Sequence, residues 1–266
     1  MHFSVAWSYS LYGKDLNYYK PLLSNIHIAK AKGIKVYISV LESEYHFIKN
    51  FFSDLSHHVI FIKYGNNYKN REKLLRYLSI CLIECDIIHF KDSDSLITER
   101  ELHYMKYWES SSYDYLIIRD HPLHYSKILA GLFSIKKNKS QWIHESCKIF
   151  MKKTNIFKKY SYNYDQIWLG LLIHPKIKKT SLVLTNSIIY KNEYYNITPR
   201  FDLNIIGGNN NNNFNSIENE LILFLDRYLI RIPTLEFLPD FIKKILFNRT
   251  RGFYILFKLL SKKIMK

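Results

Sequence analysis

Residues 86–95 read Asp86-Ile87-Ile88-His89-Phe90-Lys91-Asp92-Ser93-Asp94-Ser95, a short apolar run followed by a polar loop with two carboxylates. The run at 86–90 predicts a brief buried strand. A helix is expected after the loop, with Thr98 and Glu99 in its first turn. In open α/β sheets, ligands gather at the carboxyl ends of strands. Asp92 and Asp94 are therefore expected at a ligand-binding edge.

Short apolar runs alternate with helix-like segments on the N-terminal side of this stretch. Strands are predicted at 3–7, 34–41 and 58–64, and helices at 18–32, 43–55 and 70–84. The strand at 34–41 shows an alternation of period two. This order favours an α/β fold of the Rossmann-like kind, with a mostly parallel central sheet and flanking helices.

The C-terminal half has a more mixed pattern. Strands are predicted at 115–118 and 131–135, and helices at 141–159 and 164–173. We expect a catalytic domain over residues 1–215 and a helical, basic, amphipathic segment over residues 216–266. The asparagine run at 209–213 is interpreted as an exposed loop.

Composition restricts the classes of protein that the chain can belong to. A formal net charge of +16 and a pI near 9.5 indicate a polyanionic partner such as a phosphorylated substrate, anionic lipid or nucleic acid. The three cysteines argue against a disulfide framework and for a reducing compartment. We expect no secretory signal and no membrane-spanning helix, and hence a cytoplasmic protein.

Two carboxylates separated by one residue suit a hard cation. Asp92 and Asp94 can face one Mg²⁺ or Mn²⁺ ion and leave coordination positions open for phosphate oxygens. Such a pair also occurs by chance in surface turns, so the preceding apolar strand is what favours a metal site here.

A longer motif extends this pair: residues 91–101 read Lys91-Asp92-Ser93-Asp94-Ser95-Leu96-Ile97-Thr98-Glu99-Arg100-Glu101. The stretch resembles the Arg-Asp-x-Asp-Ser-x-x-x-x-Arg-Glu signature of a family of bacterial and viral polysaccharide-type glycosyltransferases with a GT-A fold. Further blocks match in order, at Ser10-Leu11-Tyr12-Gly13, at Arg119-Asp120-His121-Pro122-Leu123-His124 and at Tyr164-Asp165-Gln166-Ile167-Trp168-Leu169. The resemblance covers about residues 3 to 208.

The resemblance implies a metal-dependent, hexosyltransferase-type glycosyltransferase that uses a nucleoside diphosphate sugar. It places Asp92 and Asp94 at the metal. Donor-binding residues are expected in three places along the chain: Ser10, Leu11, Tyr12 and Gly13; Lys91 and Asp92; and Arg119. The expected catalytic residues are Asp120, His121 and Asp165.

Each of these roles has a simpler alternative. Tyr12 would stack on the base, or it is an ordinary surface tyrosine at a strand-to-helix turn. Arg119 and Asp120 would line the reaction centre, or they pair to fix a loop. Asp165 would bind or activate the acceptor, or it complements a helix dipole. Glu101 would brace the metal loop or be solvated.

Two positions depart from the family pattern. Lys91 stands where an arginine is usual, which keeps the charge but loses the planar fork. Asn186 lies where family members tend to have a histidine that could serve as a further metal ligand. The metal is then held more weakly, another residue completes the site, or activity has been lost.

The acceptor is expected to be a cell-surface polysaccharide or a lipid-linked glycan. The basic segment 216–266 would then lie on an anionic membrane surface, peripheral on its inner face, or its apolar residues pack on the catalytic domain. Two other functions remain open. One is a nucleic-acid-binding protein, which the charge and tyrosines favour. No zinc-finger, RRM or KH pattern occurs, however, and no nucleic-acid partner is expected. The other is an inactive scaffold of a glycan-assembly complex.

Overall fold

The fold is taken from a computed structural model that describes residues 3–119, 126–153, 164–185, 190 and 192–197. Asp120, His121, Asn186 and the segment 216–266 lie outside these residues. In the part of the chain that is described, no helix combines the length and apolar character needed to cross a membrane.

Eight strands are present in the described ranges. They are β1 (Val5–Ser10), β2 (Lys35–Leu41), β3 (Val59–Tyr64), β4 (Ile87–Phe90), β5 (Tyr115–Arg119), β6 (Phe133–Lys136), β7 (Ser181–Thr185) and β8 (Tyr194–Ile197). The helices are α1 (Leu16–Ala31), α2 (Glu42–Phe51), α3 (Leu75–Leu78), α4 (Glu99–Glu109), α5 (Gln141–Lys153), α6 (Tyr164–Trp168) and α7 (His174–Ile177).

The strands form one sheet in the order β3-β2-β1-β4-β6-β5-β7-β8. Every described pairing is parallel except those of β6, which runs antiparallel to both β4 and β5. Ile88 of β4 pairs with Ala6 on one side and with Ile135 of β6 on the other. The predicted α/β architecture with a mostly parallel central sheet is confirmed.

Two predicted elements differ from the structure. The first strand continues to Ser10 rather than ending at Trp7. The helix expected over 70–84 is broken into the four-residue α3, with 3₁₀ turns before and after it. In this broken segment, the backbone N–H of Arg76 donates to the hydroxyl of Ser10 at 2.9 Å. This bond holds Arg76 next to the last residue of β1.

Apolar side chains cover both faces of the sheet. On one face, Phe90 of β4 packs against Tyr77, with ring centroids 4.5 Å apart, and against Phe133. The other face buries Trp7 and Trp108 completely. Burial on both faces explains why the central strands read as continuous apolar runs. All three cysteines are free thiols.

Candidate functional site

A buried arginine lies at the centre of the candidate site. Nη1 of Arg76 is 2.6 Å from Oδ1 of Asp92, and Nη2 is 2.8 Å from Oδ2 of Asp165. Nη1 also donates to the carbonyl oxygen of Lys91 at 2.6 Å. Only 3% of the Arg76 side chain is exposed. One guanidinium therefore joins the loop after β4 to helix α6.

Local hydrogen bonds hold Arg76 in this position. Its N–H donates to Ser10 Oγ, and its carbonyl oxygen accepts from Ser8 Oγ at 3.1 Å and Ser79 Oγ at 2.9 Å. Ser10 and the adjacent Leu11 are both buried. The Ser10 hydroxyl therefore holds the backbone of Arg76 inside the fold. The sequence predicts instead that Ser10 and Leu11 border the donor nucleotide.

The Asp92 side chain is partly exposed although it is paired with Arg76. The exposed fraction is 42%. A Cβ atom added at Gly131 would lie 2.2 Å from Asp92 Oδ2, so the carboxylate rests directly on the glycine backbone. Burial acts to raise the pKa of Asp92, but the Arg76 guanidinium outweighs this effect and lowers the pKa. Asp92 is therefore a fixed, ionised carboxylate.

Asp94 has the opposite electrostatic environment. Burial raises its pKa, and the nearby negative charge of Asp92 raises it further. Two carboxylates that repel each other in one loop form a place where a cation is stabilised. No group of three or more His, Cys, Asp or Glu residues close enough to hold a metal occurs in the described ranges. The pair fits an ion that takes its remaining ligands from phosphate and water, as Mg²⁺ commonly does.

Contacts with neighbouring elements brace the loop that carries both carboxylates. The ammonium group of Lys91 pairs with the Glu101 carboxylate, and both side chains are buried. Burial lowers the pKa of Lys91, and Asp92 opposes that shift. Asn25 of α1 donates to the carbonyl of Ser95 at 2.8 Å and accepts from the N–H of Ile97 at 3.0 Å. The interpretation of Glu101 as a brace agrees with this arrangement.

A cleft of about 290 Å³ lies near the candidate site, although none of the three aspartates lines it. The residues that line it are Tyr12, Tyr18, Asn70, Arg71, Glu72, Lys73, Leu74 and Tyr164. The rings of Tyr12 and Tyr18 have centroids 6.1 Å apart. Burial raises the pKa of Tyr12, and the negative charges of Asp165 and Asp92 add to this rise. Lys73 adds to the effect of Arg76 in lowering the pKa of Asp92. Aromatic rings and cationic side chains thus share a wall of the cleft.

Gly13 fixes the turn that presents Tyr12 to the cleft. It has a φ of 74°, a conformation that favours glycine. Its N–H donates to Glu44 Oε1 at 2.9 Å, and its carbonyl accepts from the Tyr19 hydroxyl at 2.6 Å. These two bonds, from α2 and α1, restrain the turn.

Asp165 lies in the first turn of α6 and is 5% exposed. Its Oδ1 accepts from the N–H of Gln166 at 2.9 Å, while Oδ2 contacts Arg76. Burial raises the pKa of Asp165, and Arg76 opposes that effect. Asp165 therefore lies in the first turn of a helix and also belongs to the arginine-centred site, which is formed by Arg76, Asp92 and Asp165.

Arg119 occupies a separate, closed cluster. Its guanidinium pairs with both carboxylate oxygens of Glu193, and neither side chain is exposed. Glu193 also contacts Nε2 of His174 at 2.7 Å and the N–H of Tyr190 at 2.8 Å. Nη1 of Arg119 further donates to the carbonyl of Lys127 at 2.8 Å. In this arrangement Arg119 is fully enclosed and does not line the cleft, whereas the sequence predicts that it binds the donor.

The structure thus brings together five of the predicted residues: Tyr12, Lys91, Asp92, Asp94 and Asp165. Asp120, His121 and Asn186 lie outside the described residues, so their predicted roles stay predictions. Arg76 is not among the predicted site residues, although it is a lone cation inside the apolar run Leu74-Leu75-Arg76-Tyr77-Leu78. A charge in such a run requires a buried partner.

Comparison with known proteins gives remote similarities. No family model matches the chain, and no curated protein matches it in sequence. It is similar to the mannosyltransferase PcManGT from Pyrobaculum calidifontis, in complex with GDP-Man and Mn²⁺, at 10% identity and a TM-score of 0.41. The match covers 51% of this chain and 45% of that protein, so the chain spans about half the length of PcManGT.

Two further solved structures match more of their own length. One is a glycosyltransferase involved in glycosylation of the major capsid of PBCV-1, with 12% identity, a TM-score of 0.45, and 70% of this chain and 84% of that one covered. The other is 4-diphosphocytidyl-2C-methyl-D-erythritol synthase from Anaerococcus prevotii, with 10% identity, a TM-score of 0.44, and coverages of 86% and 99%. Similarity at this level assigns neither activity nor family.

Proposed function

We propose that the chain is a GT-A-type glycosyltransferase that transfers a sugar from a nucleoside diphosphate sugar. The observation that carries the proposal is the Arg76 guanidinium shared by Asp92 and Asp165, near a cleft lined by tyrosines and cations. Carboxylates and a guanidinium fixed around one point can bind sugar hydroxyls and a charged phosphate group together.

The cleft is the proposed nucleotide site. Tyr12 and Tyr18 offer ring faces on which a base can stack, and Lys73 supplies positive charge for the phosphates. The Gly13 turn lets the backbone approach the nucleotide closely. The net charge of +16 favours such an anionic substrate through electrostatic attraction.

Asp92 and Asp94 are the proposed metal ligands, and their oxygen chemistry suits Mg²⁺ or Mn²⁺. A divalent cation bound there neutralises negative charge on the diphosphate leaving group. The contact with Arg76 fixes Asp92 in place, so Asp94 is the ligand with the fewer constraints from the protein. Loss of Asp94 should therefore affect metal-dependent binding without loss of the fold.

The sugar of the donor is proposed to lie near Arg76 and Asp165. Both groups are buried and fixed, so they can orient hydroxyl groups without rearranging. The proton of the acceptor hydroxyl is proposed to go to Asp120 or His121, which belong to the dense polar cluster that follows the apolar strand β5 in the sequence. The proposed acceptor is a surface polysaccharide or a lipid-linked glycan.

A panel of nucleotide sugars tests the proposal. Thermal stabilisation and hydrolysis are measured with Mn²⁺, with Mg²⁺ and with a chelator. We expect at least one donor to raise Tm in the presence of metal and to be turned over slowly. Binding without turnover, even with glycan acceptors added, would favour the inactive scaffold, and no binding by any donor contradicts the proposal.

Asp94→Asn is the informative variant, and Asp54→Asn is its control because Asp54 is an exposed aspartate in a separate turn. We expect Asp94→Asn to lose the metal-dependent part of donor binding and to keep the Tm of the unliganded protein. Asp54→Asn should bind as the wild type does. Undiminished metal-dependent turnover in Asp94→Asn would rule out this metal site.

A further inference from the structure

The helix that begins at the site contains a wide turn. After α6 the chain forms a π-helical turn, Leu169–Ile173, and then α7. Buried residues recur here at every fourth position: Asp165, Leu169, Ile173 and Ile177. In a regular α-helix, residues four positions apart are offset by about 40° around the helix axis, so this series would gradually turn away from the protein interior. The wider π-helical turn offsets this drift. As a result Ile173, rather than Leu172, faces the interior.

The consequence is an exposed apolar pair. Leu171 is 65% exposed and Leu172 is 44% exposed. Lys176 and Lys179 follow them in the chain and are also exposed. No aspartate or glutamate occurs from residue 166 to residue 192. Leucines and lysines therefore share this surface with no acidic residue from their own segment.

Helix α5 runs antiparallel beside this segment, and three contacts define the pairing. Tyr164 packs on Phe150, Trp168 Nε1 donates to Ser146 Oγ at 3.2 Å, and Lys176 Nζ lies 5.1 Å from the Trp142 ring centroid. Helix α5 adds an exposed apolar side chain, Ile149. Its acidic residue Glu145 lies 3.5 Å from Lys148, so its charge is partly neutralised.

We propose that the leucine–lysine surface, formed by Leu171, Leu172, Lys176 and Lys179, docks on an anionic lipid bilayer. The leucines enter the boundary between headgroups and acyl chains, while the lysine stems reach anionic headgroups. Charge complementarity selects this partner, since lysines near an anionic bilayer are attracted to its headgroups. A hydrophobic protein partner would not need the lysines.

The leucine–lysine surface lies near the arginine-centred site, so docking would have a functional consequence. Leu171 lies six residues beyond Asp165, about 9 Å along the helix. Docking through this surface brings the arginine-centred site close to the lipid headgroups. In this respect the inference extends the proposed function, because a lipid-linked acceptor would be presented there. The docking itself does not depend on the donor assignment.

Vesicle co-sedimentation of the full-length chain tests the inference. The probes are phosphatidylcholine vesicles with and without phosphatidylglycerol. The variants are Leu171→Ser with Leu172→Ser, and Lys176→Glu with Lys179→Glu. Leu82→Ser, at a leucine that is 58% exposed elsewhere, and Lys106→Glu, at a lysine whose side chain is 82% exposed, are the matched controls. All these positions are solvent-exposed, so each variant should fold.

We expect the wild type to bind vesicles that contain phosphatidylglycerol and to be released by salt. Each surface variant should bind on the order of tenfold more weakly, and each control should bind as the wild type does. Equal binding by wild type and both surface variants overturns the proposal, as does an equal loss in the controls. A leucine variant with a lower Tm and unchanged vesicle binding overturns it too, because it shows that the protein itself covers the leucines.

Donor binding is measured on the same samples. The surface variants should bind nucleotide sugar as the wild type does. A wild type that binds vesicles but no nucleotide sugar contradicts the proposed function and supports the docking surface, whereas the reverse result supports the function and rejects the surface.

Discussion

Arg76 and Arg119 are both buried arginines at the carboxyl-end edge of the sheet, yet their surroundings differ. Arg76 divides its guanidinium between two carboxylates from separate elements, and one of them, Asp92, is 42% exposed near a cleft. Arg119 gives its guanidinium to one carboxylate, Glu193, and both side chains are enclosed. The first arrangement leaves a carboxylate partly open to solvent, where it could meet a ligand. The second satisfies both charges internally and holds elements together.

The largest effect is expected at the enclosed cluster. Glu193→Gln keeps the shape of the side chain but leaves the buried Arg119 without its countercharge. Breaking such a pair costs about 3–5 kcal/mol of the free energy of unfolding. Urea unfolding measures the loss, and Glu145→Gln, in an exposed pair, should change it by less than about 0.5 kcal/mol. An equal free energy of unfolding for Glu193→Gln and wild type would show that the Arg119–Glu193 pair does not stabilise the fold.

The same variant has a pH signature. Burial acts to raise the pKa of Glu193, but Arg119 and His174 outweigh it and hold the pKa at about 2, below the ordinary 4.5. The stabilisation from Glu193 is therefore complete above pH 4.5 and is lost as the pH falls towards 2. Wild type should lose stability more steeply than Glu193→Gln over this range. Parallel pH curves would contradict the assignment.

Arg76→Lys tests the open site. Lysine keeps the charge but cannot bridge two carboxylates with a planar fork. We expect turnover to fall by about 10²-fold, because groups around the reaction centre lose their fixed positions. Arg119→Lys is the matched change at the enclosed cluster, and it should lower stability while the KM for the donor stays constant. If both variants changed activity and stability alike, the distinction between the two arginines would be wrong.

Gly131→Ala places a methyl group against the Asp92 carboxylate, at 2.2 Å before any relaxation. Asp92 must move, so we expect about tenfold weaker metal-dependent donor binding and a stability loss of about 1–3 kcal/mol. Gly170→Ala is the control, because nothing lies within 4 Å of its added Cβ. Calorimetric titration with the donor and Mn²⁺ measures the binding. Normal affinity in Gly131→Ala would show that Asp92 does not need its observed position.

Tyr12→Leu is expected to have the smallest effect, because the ring contributes stacking alone. Loss of stacking on one base should weaken donor binding by about fivefold to tenfold, or about 1 kcal/mol. Tyr195→Leu, at an exposed tyrosine that does not line the cleft, should leave affinity unchanged. An unaltered Kd in Tyr12→Leu would favour the simpler interpretation of Tyr12 as a surface tyrosine.

The sequence predicted the elements whose pattern is local. Alternation over 34–41 and the apolar run at 86–90 identified β2 and β4 within a residue of their observed ends. The position of Asp92 and Asp94 beyond β4 followed from the same reasoning. In both cases a strand boundary coincided with a change from apolar to polar residues, so neighbouring residues carried the information.

Contacts between distant residues could not be predicted in this way. Arg76 meets Asp165 across 89 positions, and Arg119 meets Glu193 across 74. No local pattern encodes such a pairing, so the sequence predicts a plain helix over 70–84 and a donor-binding role for Arg119. Neither β7 nor β8 is among the predicted strands. The residues of β8, Tyr194 and Tyr195 among them, are half-exposed at a sheet edge and carry a weak apolar signal.

The reversed strand β6 has a consequence for the order of folding. Ile135 pairs with both Ile88 and Tyr115, so β6 has to enter between two strands that precede it in the chain. The sheet therefore cannot grow from one edge to the other as the polypeptide is made. Its centre closes after residue 136 is available, and pairing of β5 with β7 then joins residues still further apart. Non-local closure of this kind slows folding, so we expect the arginine-centred site, which needs Asp165 of α6, to form late.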